Sequence, residues 1–245
     1  MTPENAMVFA AGFGIRMRPL TDRIPKPMIR VAGRPLIDHA LEQLRGAGVA
    51  RIVVNTHHLA EQIESHLDGM SDVTVIRETG RILDTGGGLR NALPLLGDDP
   101  VFTLNADYVW SGPNPFRCLA AAWDPERMDG LMLMLPRDRA TGYRGPGDFG
   151  LGPDGRLIVP GDSGPPVMVY AGAQILKTDG LADIPESVFS VKVVWANLQA
   201  DSRLFGVVHA GGWAEVGRPE AIPLAEALLR RAEAETDEGP VACPE

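Results

Sequence analysis

Short apolar runs alternate with amphipathic helical segments along the first 105 residues, and this alternation limits the fold more than any other feature of the sequence. The apolar runs end at glycine, proline or polar turns, as buried strands do. Between them, hydrophobic residues recur at the spacing of one helical face. The pattern predicts strands at 6–10, 51–55, 73–77 and 101–104, and helices at 35–44, 59–67 and 89–96. This order implies right-handed crossovers and a parallel sheet covered by helices.

The second half of the chain changes character. A glycine- and proline-rich stretch at 142–166 carries hairpin signals at 153–155 and near Gly161. Further strands are predicted at 131–135, 167–175 and 204–209, and a last helix at 219–233. Residues 234–245 are acidic and lack periodicity, which predicts a flexible tail. The length of 245 residues suits one domain with a large core.

Charge and hydropathy exclude several classes of partner. The net charge of −9 and the pI near 5.1 argue against nucleic acid and against an anionic membrane surface, because both need a basic patch. No apolar run approaches the roughly 18 residues that cross a bilayer, and the N-terminus has no signal-peptide pattern. We therefore expect no membrane partner and a cytoplasmic location. Any site for an anion must be local.

The segment AAGFGIRMRPLTDRIPKP, residues 10–27, predicts such a local site, and we call it the opening loop. Gly12 and Gly14 follow the first strand, where absent Cβ atoms let backbone N–H groups approach an anion. The glycines alone could form a plain tight turn. The dinucleotide fingerprint needs a third glycine where Met17 stands, and the P-loop sequence is absent. Arg16 and Arg18, just past these glycines, and Lys26, held between two prolines, favour a polyphosphate ligand.

The opening loop resembles the signature of the sugar-1-phosphate nucleotidyltransferases, G-x-G-x-R-[ML]-x-P-L-T followed by P-K-P. The matching residues are Gly12, Gly14, Arg16, Met17, Pro19, Leu20, Thr21, Pro25, Lys26 and Pro27. Three further segments resemble family motifs in the same order: 83–88 (L-D-T-G-G-G), 105–107 (N-A-D) and 211–219 (G-G-W-A-E-V-G-R-P). The 83–88 segment, the V-V-N-T-H-H stretch at 53–58 and the lack of a C-terminal β-helix are most similar to the short N-acetylmuramate-1-phosphate uridylyltransferases of cell-wall recycling.

The resemblance implies an α/β fold. Its core is a Rossmann-like, mostly parallel mixed sheet flanked by helices, with a small β-rich sugar-binding lobe and no C-terminal β-helix. Residues 1–233 would form a single nucleotidyltransferase domain. About 1–110 would be its nucleotide-binding half and 111–233 its sugar-binding half.

The resemblance also implies a reaction. A nucleoside monophosphate passes from a nucleoside triphosphate, here UTP, to a sugar 1-phosphate, here N-acetylmuramate 1-phosphate, and pyrophosphate leaves. Arg16, Lys26 and Asp107 would be catalytic, and Asp107 and Glu215 would bind Mg²⁺. The implied substrate-binding residues are Ala10, Ala11, Gly12, Gly14, Thr85, Gly86, Gly87, Gly88, Asn105, Gly150, Gly172, Glu186, Lys192 and Trp213.

Three departures from the family pattern bear on activity. Glu215 stands where an aspartate is usual, Ala106 replaces the glycine of N-G-D, and the E-K-P segment has no match around 161–166. Lys192, in a segment that resembles a sugar-site region, is a candidate to supply the missing charge.

Several alternatives stay open. A guanylyltransferase acting on mannose 1-phosphate, a thymidylyltransferase acting on glucose 1-phosphate and a catalytically silent nucleotide-sugar sensor all suit the motifs, and so does a homodimer. Trp213 could line a sugar pocket or be simply buried. For His57 and His58 we favour surface or hydrogen-bonding roles, because they lack partners at metal-ligand spacing.

Overall fold

The structure, a computed structural model, describes residues 2–97, 100–159 and 167–236. Its strands are β1 (Asn5–Phe9), β2 (Arg30–Val31), β3 (Arg34–Pro35), β4 (Arg51–Thr56), β5 (Val73–Arg77), β6 (Val101–Asn105), β7 (Tyr108–Trp110), β8 (Gly130–Pro136), β9 (Phe149–Leu151), β10 (Leu157–Ile158), β11 (Val167–Leu176), β12 (Leu204–Val208) and β13 (Trp213–Glu215). Its α-helices are α1 (Leu36–Gly46), α2 (Ala60–Leu67), α3 (Asp84–Leu96), α4 (Pro115–Ala122), α5 (Lys192–Ala200) and α6 (Ile222–Thr236).

The main sheet is mixed, as predicted. Its strand order is β10-β9-β11-β6-β1-β4-β5, and β8 pairs with both β11 and β12. The strands β6, β1, β4 and β5 run parallel to one another, because helical crossovers connect them along the chain. The strand β11 runs antiparallel to β6 and joins the sheet to the second half of the chain. The predicted α/β class, with a mostly parallel mixed sheet, is therefore confirmed.

Helices cover both faces of this sheet because its central strands are apolar on both sides. In β1, Ala6 and Val8 join one hydrophobic cluster while Met7 joins another, which is the period of two expected of a strand. The first cluster includes the buried face of α1, which presents Ile37, Leu41 and neighbouring apolar side chains at helical spacing. Burial stabilises each such large side chain by about 1.5–3 kcal/mol relative to exposure. The predicted helix at 35–44 is thus confirmed.

A smaller antiparallel pair, β7 with β13, lies beside the main sheet. Its register places Glu215 opposite Tyr108 and Trp213 opposite Trp110. A third hydrophobic cluster joins Met17 of the opening loop to β7, β13 and α6. The pair consequently brings a segment from residue 213 onward next to the segment that follows β6.

Several elements differ from the sequence prediction, and the short strands β2, β3, β7 and β13 were not predicted. The helix α3 begins at Asp84, five residues before the predicted start at residue 89, so the glycines at 86–88 are helical. The helices α4 and α5 were not predicted, although Asn114 caps α4 by accepting bonds from the amides of Phe116 and Arg117 at 3.0 Å each. The helix α6 extends to Thr236, three residues beyond the predicted end, and residues 237–245 lie outside the described part of the chain.

The hairpin predicted at 153–155 is confirmed by the antiparallel pairing of β9 with β10. The hairpin signal near Gly161 and the segment compared with E-K-P at 161–166 lie outside the described residues. None of the described helices is both long and apolar enough to cross a bilayer.

Candidate active site

A cavity of about 430 Å³ opens at the carboxyl ends of β1, β4 and β6. Ligands of parallel α/β sheets gather at this edge. The side chains and backbone that line it come from the opening loop, from the three strand ends, from the start of α3 and from the turn after β13. The lining residues are Phe9, Ala10, Ala11, Gly12, Phe13, Gly14, Ile15, Arg16, Lys26, Pro27, Asn55, Ile82, Asp84, Thr85, Asn105, Ala106, Asp107 and Gly217.

The opening loop presents backbone amides to this cavity. Gly14 has a φ of +61°, and its carbonyl accepts bonds from the Thr21 hydroxyl at 2.9 Å and from the Met17 amide at 2.8 Å. A Cβ at Gly14 would lie 2.8 Å from Thr21 Cγ2, so glycine is required for both conformation and space. The amides of Ala11 and Gly12 have no acceptor in the described part of the protein, and no atom lies within 4 Å of the place where a Gly12 Cβ would be. The loop therefore offers free N–H donors to an anion.

Two ion pairs lie at one end of the cavity, which we call the charged end. Arg16, Lys26 and Asp107 line the cavity there, whereas Glu215 is not part of the lining. Lys26 pairs with Asp107, and both side chains are largely buried. Arg16 pairs with Glu215, with 3.1 Å between Nη2 and Oε1. The pairing of β13 with β7 creates this arrangement, and the Val216 amide donates to the Asp107 carbonyl at 2.9 Å. The structure thus brings together Arg16, Lys26, Asp107 and Glu215, which the sequence predicted as catalytic or metal-binding residues.

The two carboxylates suit a hard cation. Asp107 and Glu215 sit on neighbouring, paired segments and offer oxygen ligands of the kind that Mg²⁺ prefers. Among the described residues there is no group of three or more His, Cys, Asp or Glu side chains that could hold a metal ion by itself. Substrate oxygens or water would have to complete the coordination, which is the usual situation for Mg²⁺ bound together with a phosphate chain.

Tyr108 supports the charged end from beneath. Its ring packs against that of Trp213, with 4.9 Å between the ring centroids. Burial, together with the negative charges of Asp107 and Glu215, raises the pKa of the Tyr108 hydroxyl well above its ordinary value. Tyr108 therefore stays neutral at any pH at which the protein works.

The opposite end of the cavity has no cationic side chain among its described lining residues. Asn55, Ile82, Asp84 and Thr85 line it instead. Asp84 has a φ of +60°, an uncommon backbone conformation for a residue other than glycine, and its carboxylate accepts the Thr85 amide at 2.6 Å. An uncharged, partly polar ligand group fits this end better than a phosphate does.

The glycines at 86–88, which the family resemblance implied would bind substrate, pack against other parts of the protein. The amides of Gly86 and Gly87 donate to the carbonyl of Phe189 at 2.9 and 3.0 Å. A Cβ on Gly86 would lie 2.3 Å from Cε2 of Phe189, and one on Gly88 would lie 2.8 Å from the Asn55 amide nitrogen. The absent side chains leave room for other parts of the protein, and these glycines do not line the cavity.

Other predicted substrate-binding residues also lie away from the cavity lining. Gly150 is a buried member of β9, and Gly172, with a φ of +79°, faces the ring of Tyr108. Glu186 and Lys192 are exposed, and the segment that carries them is attached to α3, where Arg90 donates to the Glu186 carbonyl at 2.7 Å. A contact of these residues with substrate stays a prediction.

Trp213 is buried, with 1% of its surface exposed, and its indole N–H donates to the Ala171 carbonyl at 2.9 Å. Of the two alternatives for Trp213, the structure favours simple burial. His57 and His58 have the predicted hydrogen-bonding roles, since they contact the carbonyls of Glu78 at 2.7 Å and of Thr21 at 2.9 Å.

Sequence analysis missed the pair Asn55 and Glu78, of which Asn55 lines the end of the cavity that has no cation. The Asn55 amide donates to Glu78 at 2.7 Å, and both residues are buried. A signal was available for Asn55, because it occupies the end of a predicted parallel strand. The same signal was available for Glu78, which directly follows the predicted strand at 73–77, but its bond to Asn55 depends on the fold.

Comparison with known proteins identifies nucleotidyltransferases as relatives of this chain. Residues 6–213 match the family described as the MobA-like NTP transferase domain. An N-acetylmuramate alpha-1-phosphate uridylyltransferase from Caulobacter vibrioides is 42% identical, over 94% of this chain and 98% of its own length. A protein of the same name from Neisseria meningitidis serogroup B is 34% identical, over 91% of this chain and 97% of its own length. Mannose-1-phosphate guanylyltransferases match at lower identity. The predicted family resemblance is confirmed.

Solved structures agree on the fold. The inositol-1-phosphate CTP transferase from T. maritima superposes with a TM-score of 0.74 at 17% identity, covering 99% of each chain. At that identity the likeness concerns the fold alone, and it shows the predicted architecture of a flanked, mixed sheet.

Proposed function

Because the chain belongs to the family of MobA-like NTP transferase domains, we propose that it transfers the uridylyl group of UTP to N-acetylmuramate 1-phosphate and releases pyrophosphate. The observation that carries the proposal is the cavity's division into two ends. The opening loop supplies free amides, Arg16 and Lys26 at one end, where a triphosphate fits, and the other end suits a nucleoside. The names of the relatives from Caulobacter vibrioides and Neisseria meningitidis support the choice of uracil and of the sugar.

The chemistry requires little beyond charge and alignment. An oxygen of the sugar phosphate attacks the α-phosphorus of UTP, and the bond to the β-phosphate oxygen breaks, so that pyrophosphate departs with the electron pair. Both reactants are anions, and repulsion between them must be offset. Arg16 and Lys26 offset it at the triphosphate, and the amides of Ala11 and Gly12 orient the chain of phosphates.

Asp107 and Glu215 would hold Mg²⁺. The bound ion would neutralise phosphate charge and align the triphosphate. Each carboxylate faces a cation of the opening loop, Lys26 or Arg16, so the charged end of the cavity is electrically balanced before any ligand binds. Lys26 and Arg16 hold the carboxylates in place and lie where a phosphate chain would reach them.

Two broader assignments belong to the same proposal. UTP is a metabolite of the cytoplasm, and we place the reaction there. A homodimer stays a prediction, which light scattering tests against the chain mass of 26.3 kDa.

The decisive experiment incubates the purified protein with UTP, GTP or dTTP and with N-acetylmuramate, mannose or glucose 1-phosphate, and measures pyrophosphate. We expect turnover with UTP and N-acetylmuramate 1-phosphate to exceed that of any other pair by at least about tenfold. Preferred turnover of GTP with mannose 1-phosphate, or of dTTP with glucose 1-phosphate, would replace the substrates and keep the reaction.

The silent-sensor alternative needs a separate comparison. Lys26→Ala should keep UTP binding within about tenfold while it reduces turnover by roughly a hundredfold or more, because Lys26 acts on charge that develops in the transition state. Product binding by the wild-type protein without turnover of any pair would support the sensor.

A further inference from the structure

Glu78 is a buried carboxylate without a cationic partner in the described part of the chain. Only 3% of its surface is exposed, and its two oxygens accept one bond each, Oε1 from the Asn55 amide at 2.7 Å and Oε2 from the Leu83 amide at 2.8 Å. Burying a carboxylate is costly, and hydrogen bonds are what make it tolerable. Because burial of the carboxylate costs stability, we expect Glu78 to have a structural or functional role that an apolar side chain could not fill.

Asn55 extends the network to a third segment. Its side-chain oxygen accepts the Ala10 amide at 2.8 Å, while its nitrogen donates to Glu78. An ionised carboxylate can only accept hydrogen bonds, so Glu78 fixes which way round the Asn55 amide sits. With the nitrogen held by Glu78, the Asn55 oxygen must face Ala10.

The three segments joined in this way are walls of one part of the cavity. Ala10 follows β1 directly, Asn55 lies at the end of β4, and Leu83 immediately precedes Asp84 and Thr85. Asn55, Asp84 and Thr85 line the end of the cavity that has no cation, and Ala10 lines the cavity next to Asn55, to which its amide donates. The Ala10 amide is already bonded, so Ala10 can offer a ligand only its carbonyl.

We propose that Glu78 and Asn55 are positioning residues for the nucleobase site. Their hydrogen bonds fix the segments of Ala10, Asn55 and Leu83 relative to one another. This inference rests on the proposed function, because it takes the end of the cavity that has no cation as the place for the base. The pair acts through Ala10, Leu83 and the residues that follow them. Neither member of the pair hydrogen-bonds to Arg16, Lys26 or Asp107 at the charged end.

The network can be broken in two ways and restored in a third. In wild type, the Asn55 side-chain N–H and the Leu83 backbone N–H each donate to one oxygen of Glu78. Glu78→Gln replaces one of these two oxygens with an NH₂ group, so one of the two N–H donors then faces another donor. In Asn55→Asp, two carboxylates face each other. The double variant combines Asn55→Asp with Glu78→Gln. The side-chain NH₂ at position 78 then donates to the carboxylate at position 55, and the side-chain oxygen at position 78 accepts from the Leu83 amide. The carboxylate at position 55 also accepts from the Ala10 amide, so every hydrogen bond and the total charge are kept.

Isothermal titration calorimetry of each variant with two ligands distinguishes effects on one end of the cavity from effects on the other. UTP uses both ends, whereas inorganic tripolyphosphate uses the charged end alone. We expect each single variant to weaken UTP binding by about tenfold or more, the usual consequence of a buried donor left without an acceptor, and to change tripolyphosphate binding by less than about twofold. The double variant should bind UTP within about threefold of the wild type.

Two results would overturn the inference. Equal weakening of UTP and tripolyphosphate in the single variants would mean that the pair supports only the stability of the whole protein. Failure of the double variant to recover UTP affinity, with its melting temperature restored, would show that the hydrogen-bond pattern is not what positions the base.

The proposed function can fail separately. CTP, GTP and ATP are titrated into the wild-type protein as well, and the variants are also measured with the nucleotide that binds most tightly. A preference for a base other than uracil would contradict the uridylyl assignment and leave the positioning role to be judged from the variants. A wild-type protein that bound none of the four would overturn both.

Discussion

Arg16 and Arg18 lie two residues apart in the opening loop, but only Arg16 lines the cavity. Arg16 lines the cavity and reaches Glu215, whereas Arg18 pairs with Asp22 on the surface at 3.1 Å and does not line the cavity. Arg16→Ala should lower kcat/KM by about a hundredfold, equivalent to about 2.7 kcal/mol of transition-state stabilisation. Arg18→Ala, the matched control, should stay within about threefold of the wild type. Steady-state kinetics of both variants tests this, and equal losses would contradict it.

Glu215 is the residue at which the sequence departs most from its family. Its side chain is largely buried and bonded to Arg16, and its own amide donates to the Thr141 carbonyl at 3.0 Å, so its position is well held. Glu215→Gln should keep the fold, because the side chain keeps its shape. It should raise the Mg²⁺ concentration needed for half-maximal rate and reduce turnover by about a hundredfold, because a metal ligand loses its charge.

Glu215→Asp should also lose activity, because the shorter side chain no longer reaches the ion from this backbone. The exposed Glu220 offers a control, and Glu220→Gln should behave as the wild type. Magnesium titrations of the rate, with circular dichroism as a check of folding, measure the difference. Normal turnover of Glu215→Gln at low Mg²⁺ would leave Asp107 as the protein's metal ligand without Glu215.

At the scale of elements, one ion cluster joins the strands of the second half. Asp129, just before β8, accepts bonds from Arg203 before β12, at 2.9 Å, and from Lys177 after β11, at 2.6 Å. Hydrogen bonds from Arg203 and then Lys177 lower the pKa of the Asp129 carboxyl to about 2. A lowered folded-state pKa stabilises the protein above the unfolded-state pKa, and this contribution disappears as the pH falls through about 2.

Asp129→Asn should therefore lower the free energy of unfolding at pH 7 by on the order of 1–2 kcal/mol. The difference from the wild type should shrink between about pH 4 and pH 2, where the wild-type carboxyl takes up its proton. Urea unfolding at several pH values measures it, with Asp201→Asn at an exposed site as the control. A difference that did not change with pH would mean that the charge of Asp129 contributes nothing to stability.

For the molecule as a whole, the cavity joins elements that are distant in sequence. Its lining runs from Phe9 to Gly217. A ligand that binds there stabilises the folded state, by about 2.7 kcal/mol at a concentration one hundred times its Kd. For a domain of this size we expect UTP to raise the melting temperature by about 5–10 °C. Differential scanning fluorimetry checks this, and an unchanged melting temperature at saturating UTP would contradict a preformed site.

Local features of the sequence predicted the strands and helices of the first 105 residues well. Strands and helices there are set by apolar periodicity, and Gly12, Gly14, Arg16 and Lys26 follow the first strand directly, so their place at a strand end could be derived without coordinates. The glycines at 86–88 misled the prediction for a physical reason. Three consecutive glycines favour a loop, but here they let the start of α3 pack closely against Phe189, about 100 residues away in sequence.

The sequence by itself determined the α/β class, the family and the residue types of the charged end, because each depends on patterns within a few tens of residues. Only the tertiary structure decided that Lys26 faces Asp107, that Arg16 faces Glu215, and that Glu78 supports Ala10 through Asn55. These contacts join segments from different strand ends, and their pairing depends on strand order and register. Register is set by how the whole sheet buries its side chains, which no single stretch of sequence encodes.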